Sequence, residues 1–67
     1  MNITENNTIR MTDEERHSLG NWGMERIDYL SVDHDKQDGL HTFYFCGISD
    51  KQVATELCAY FGLKVTE

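Results

Sequence analysis

Positive charge is scarce in this sequence. Six Lys and Arg stand against twelve Asp and Glu, a formal charge of −6. That excess argues against direct nucleic-acid binding, which depends on Lys and Arg displacing counterions from phosphates, and against docking on anionic membranes. Long apolar runs are missing too: no stretch approaches the ~20 residues needed to cross a bilayer. The opening Met1-Asn-Ile-Thr-Glu5 has neither the basic start nor the apolar stretch of a signal peptide. A cytoplasmic setting is therefore expected, in which the sequons at Asn2 and Asn6 carry no meaning. Cysteine is limited to Cys46 and Cys58, twelve positions apart and not a Cys-x-x-Cys pair. Both thiols are expected to be reduced and at least partly buried. The chain has no proline, no repeat and no low-complexity segment.

Catalytic patterns are equally sparse. There is no nucleophile elbow, and Gly20-Asn-Trp-Gly23 is too short for a phosphate loop and lacks its lysine. Of the three histidines, His17, His34 and His41, only His34 has carboxylates beside it in sequence. Asp33 and Asp35 flank it, and neighbouring residues on a strand point to opposite faces. Cys46 and Cys58 read as small buried hydrophobes rather than activated thiols. No catalytic residue, no cofactor and no enzymatic activity is expected.

With 67 residues, the chain is one small domain, of a size that buries only about 60% of the surface its unfolded form exposes. Residues 1–10 read as a polar arm, with an edge strand possible around Thr8–Arg10, and residues 11–67 as a single α+β domain. Thr12-Asp-Glu-Glu15 is a capping box, with three acids suited to the positive end of a helix dipole. Gly20 and Gly23 imply that this helix is short. Met24 to Val32, with Ile27, Tyr29, Leu30 and Val32, reads as extended. Asp38-Gly39 signals a hairpin turn, leading into a second extended run, Leu40 to Cys46. The last helix is predicted to be capped by Ser49 and Gln52, with Ile48 stapled onto Val53. Its core stripe would be Val53, Leu57, Tyr60 and Phe61, flanked by Ala54 and Cys58, and Gly62 would close it. Leu63-Lys-Val-Thr66 reads as a closing strand. The expected order is α-β-β-α-β, an antiparallel sheet with helix on one face.

Three features compete as sites. The polar cluster Asp33, His34, Asp35, Asp38 and His41 has metal-ligand chemistry, and a metal-binding module centred on Asp33, Asp35 and His41 is one alternative. It fails as a calcium loop: counting from Asp33, the required glycine is Asp38 and the required glutamate is Tyr44. A solvated turn is the preferred reading, with no metal. Trp22, between two glycines, reads as a plug at the end of the core or as an exposed anchor, the core plug being preferred. Tyr60 is assigned to the core, and one of Tyr29 and Tyr44 is expected outside. The acids fall into two groups, Asp13, Glu14, Glu15, Glu25 and Asp28, and Asp33, Asp35 and Asp38. On one face they would form a negative ridge imitating nucleic acid. Gln52 to Leu63 echoes the first helix and turn of a helix-turn-helix, but only five residues follow Gly62 and the charge has the wrong sign.

In size, acidity and lack of catalytic motifs the chain resembles the small accessory proteins of phages and mobile elements, a class whose members inhibit a host nuclease, defence complex or regulator. The resemblance implies a stoichiometric protein-binding inhibitor or modulator, with a basic surface of a host protein as partner. The proposed contact residues are Asp13, Glu14, Glu15, Trp22, Glu25, Asp28, Asp33, Asp35 and Asp38. A homo-oligomeric module, pairing two chains through exposed sheet aromatics, is the other alternative.

Overall fold

The boundary at Thr12 behaves as its local chemistry dictates. In the computed structural model, which describes residues 7–64, the Thr12 hydroxyl accepts from the Glu15 amide at 3.1 Å, and the Glu15 carboxylate accepts from the Thr12 amide at 2.8 Å. Thr12 is also the last residue of strand β1 (Thr8–Thr12), so one residue ends a strand and starts helix α1 (Asp13–Ser18). Removing such a cap costs about 1 kcal/mol. Thr12→Ala is expected to lower the unfolding free energy by that amount, seen as a lower denaturation midpoint, and Thr12→Ser to restore it; an unchanged midpoint for the alanine variant would show the box to be ornamental.

Gly20 turns the chain at φ 70°, a conformation that costs a side-chain-bearing residue about 1–2 kcal/mol. A second helix, α2 (Gly20–Leu30), starts there. This corrects the extended reading of Met24 to Val32: only Ser31 and Val32 join a strand, β2 (Ser31–Gln37). Gly23, Ile27 and Leu30 follow the helical period and face the core, with Gly23 and Ile27 fully enclosed. Gly23 is a packing glycine inside this helix, not a terminator.

The hairpin follows expectation. Asp38 and Gly39 both take positive φ, 53° and 78°, the pair of angles a tight primed turn demands, and β3 (Leu40–Phe45) returns antiparallel. A register shift between Ser31 and Asp33 leaves Val32 bulged and exposed. β1 pairs with the other side of β3, Ile9 opposite Phe43 and Met11 opposite His41. The described residues thus form an α+β domain with a three-stranded antiparallel sheet ordered β1-β3-β2. Its inner face, Ile9, Met11, Phe43 and Phe45, meets Leu19, Ile27, Ala54 and Cys58 from the helical layer.

Helix α3 (Ile48–Tyr60) begins one residue after an extended Gly47, with no side-chain cap. Ser49 therefore lies inside the first turn rather than capping it. The buried face of α3 is Lys51, Ala54 and Cys58, while Leu57 and Phe61 pack partly against the core. Val53 and Tyr60, expected inside, are 51% and 80% exposed. The helix is rotated by one position, about 100°, from the orientation its larger side chains suggest. Gly62 closes α3 at φ 77°, with the Leu63 amide donating to the Cys58 carbonyl at 2.9 Å, the six-to-one bond of a Schellman end. Leu63 and Lys64 are not in a strand; the rest of the expected closing strand, Val65 and Thr66, and most of the N-terminal arm, residues 1–6, lie outside the described residues.

Candidate functional site

Rotation of α3 produces an apolar groove at the surface. On α2, Trp22, Arg26, Tyr29 and Leu30 share one face; on α3, Val53, Glu56, Leu57 and Tyr60 share another. The two faces line a groove of about 490 Å³. Trp22 is 52% exposed and Tyr29 87% exposed, so Trp22 is an anchor at the surface rather than a core plug. Phe61, half-buried behind it, braces the aromatic wall. Its ring lies 6.2 Å from Trp22 and 5.2 Å edge-on from Tyr60. The Arg26 guanidinium sits 4.9 Å above the Trp22 ring, a cation–π arrangement. These contacts hold two exposed aromatic rings in place.

The acidic residues do not make one ridge. Helix-borne Glu14 and Glu25 stand on the helical side of the sheet. His34 stacks on Phe43 at 4.3 Å and 13°, which puts His34 and Lys36 of β2 on the inner face and Asp33 and Asp35 on the outer one. Several acids are already engaged: Asp28 pairs with Arg16 at 3.7 Å, Glu15 belongs to the cap, and the Asp33 carboxylate accepts from the His34 amide at 2.9 Å. Asp38 occupies the turn, exposed. Asp33 and Asp35 also face away from His41, so the metal alternative loses its ligand set. Among the described residues no group of three His, Cys, Asp or Glu side chains could hold a metal ion.

Asp13 belongs to a polar chain that residue spacing alone did not reveal. Its carboxylate receives the Nε2 proton of buried His41 and lies 3.4 Å from the Lys36 ammonium. When His41 is neutral its Nδ1 is the acceptor, and His34 Nε2 donates to it at 2.8 Å. The carboxylate thereby sets both imidazole tautomers and ties the start of α1 to both hairpin strands. The chain can relay a proton between Asp13 and the outer nitrogen of His34.

The His34 imidazole is held below its usual 6.5 by burial, then by the neighbouring His41 and Arg16 charges. Asp13 is held below 3.8, chiefly by the hydrogen bond from His41. In both cases the unfolded chain binds the proton first. The His34 contribution is complete above pH 6.5 and is lost as pH falls from there through the folded value. The Asp13 contribution is complete above 3.8 and is lost as pH falls through its own folded value. Melting temperature is therefore expected to drop first as pH falls below 6.5 and again as it falls below 3.8. His34→Gln should remove the first drop only; a profile identical to the wild type would show that His34 is not the titrating group.

Of the two thiols, Cys58 is buried and pushed up to about 11 by that burial, with the Glu15 charge adding to it. Cys46, expected to be partly buried, is exposed just beyond β3. Among the described residues no helix is long and apolar enough to cross a membrane. Set against protein-family models, curated proteins and solved structures, the chain finds no match.

Proposed function

We propose that this chain is a small protein-binding modulator that acts by covering a surface of its partner, with the α2–α3 groove as its contact. The observation that carries this reading is the convergence of Trp22, Tyr29, Val53 and Tyr60, all more than half exposed, on one groove. Isolated exposed apolar residues need no explanation, whereas a contiguous patch marks a contact surface. Trp and Tyr are also the residues whose truncation costs about 2 kcal/mol or more in interfaces. The acidic residues take a second role: a chain of charge −6 draws a basic partner in and raises the association rate.

Immobilised wild type and a Val53→Asp/Tyr60→Ala double variant, exposed to the same nuclease-treated lysate, test this. Both positions are exposed, so the variant should melt like the wild type. Proteins retained by the wild type should fall at least tenfold with the variant, about 1.4 kcal/mol; an identical set on both would move the contact off the groove. Charge reversal belongs at Glu14 and Glu25. Reversing Asp13 and Glu15 would break the histidine chain and the helix cap, and so confuse folding with binding.

A further inference from the structure

We propose that the segment seated in the α2–α3 groove is an amphipathic helix carried by a basic partner. This rests on the groove being the contact surface, and adds what fills it. Both walls are helix faces, whose backbone N–H and C=O groups are consumed within their own helices away from the termini. A segment buried between them finds no backbone to pair with, and buried backbone groups left unpaired are rare in native structures. An occupant that satisfies its own backbone is therefore favoured. A helix does so; an added strand requires a sheet edge, which these walls do not present.

The dimensions agree. Trp22 to Leu30 on one wall and Val53 to Tyr60 on the other span about 12 Å and about 10.5 Å at 1.5 Å per residue, each about two turns of helix. Side chains on both walls repeat at the helical period, and ridges of that spacing receive a third helix. Charge chooses between a foreign helix and a second copy of this chain. A second copy brings another −6 and is repelled at low salt, whereas a Lys- or Arg-rich flank is attracted. Within the walls Arg26 lies over the Trp22 ring, and Glu56 on the opposite wall is the acid that faces such a flank.

Trp22 is the only tryptophan of the chain and stands in the groove wall, so its emission reports occupancy directly. The probes are three tryptophan-free peptides of about 15 residues: Leu and Lys in helical period, the same composition in strict alternation, and Leu and Glu in helical period. The first should shift Trp22 emission and bind at least tenfold tighter than the other two, with an affinity that falls as salt rises. Val53→Asp is the decisive control. It adds negative charge, so adventitious attraction of a cationic peptide would strengthen, while seating in the groove should weaken about tenfold or more. Equal binding of the alternating peptide, stronger binding to the Val53→Asp chain, or no Trp22 response up to about 1 mM would each overturn the proposal. So would sedimentation of the free chain as a dimer that Val53→Asp dissolves. If lysate capture still depends on Val53 and Tyr60 while the helical peptide fails, the groove stands and the helix falls; if neither depends on them, both fall.

Discussion

Replacing Phe43 by alanine is expected to leave this chain without a cooperative unfolding transition at room temperature. Phe43 is 1% exposed. It faces Ile9 across one ladder and His34 across the other, so its ring touches both outer strands of the sheet. Truncation of a buried phenylalanine costs about 3–5 kcal/mol, and a core of this size supplies about 3–5 kcal/mol in total. The loss equals the whole margin. It also removes the plate on which His34 stacks, and with it the support of the His34–His41 hydrogen bond. Urea titration followed by circular dichroism, with amide spectra at zero denaturant, reads the outcome. Phe43→Leu keeps more of the volume and should retain a sharp transition at a lower midpoint. A Phe43→Ala chain with a midpoint near the wild type would mean that the central strand is not the keystone of the core.

The second large effect runs against helix propensity. Alanine in place of a helical glycine normally stabilises by about 1 kcal/mol, yet Gly23→Ala is expected to destabilise. A Cβ at this position would lie 2.8 Å from the Leu19 Cβ and 3.2 Å from Phe61 Cε2. The Leu19 Cβ sits next to backbone and cannot swing aside, so α2 must shift. Overpacking of this kind costs about 1–3 kcal/mol, and the net sign follows the clash. The displaced Phe61 is the brace behind Trp22 and Tyr60, so the same variant should loosen the groove. Thermal melts give the sign, and Trp22 emission shows whether the wall has moved. Gly20→Ala is the contrast: the space there is open, but φ is 70°, so only backbone strain opposes it. A Gly23→Ala chain more stable than the wild type would refute the close approach of α2 to Leu19 and Phe61.

What the sequence made legible was local. The Thr12–Glu15 box, the Asp38-Gly39 turn and the Gly62 helix end each depend on residues within a few positions of one another, and each forms as read. What stayed hidden depends on the third dimension. Met24 to Leu30 carries Ile27, Tyr29 and Leu30 at spacings compatible with either period, and Gly23 beside them argues against a helix. Only its contact with Leu19 and Phe61 explains why a glycine is wanted there. On α3 the large residues Val53, Leu57 and Tyr60 outline a better apolar stripe than Ala54 and Cys58. The small pair is nevertheless what lets the helix approach the sheet, so that Leu57 is only partly buried and Val53 and Tyr60 are left for the surface. The groove was present in the sequence as two stripes, Trp22, Arg26 and Tyr29, and Val53, Leu57 and Tyr60. One lay hidden in a segment read as extended; the other was assigned to the core. The split of the acids between two sides of the sheet follows from the β2 register, which the bulge at Val32 resets.

The strand order has a kinetic meaning. Gln37 meets Leu40 across a two-residue turn, whereas Thr8 must find Tyr44 across the whole intervening chain. Closure of a long loop is entropically dearer than closure of a short one, which makes the hairpin the early element and β1 the late arrival. Stabilisation contributed by Ile9 and Met11 then belongs to the last step of folding. Such late contacts act chiefly by slowing unfolding and leave the folding rate nearly untouched. In a chevron, truncations in β1 should raise the unfolding limb and those in the hairpin should lower the folding limb. The persistence of the native state, more than the speed of reaching it, would rest on its first strand.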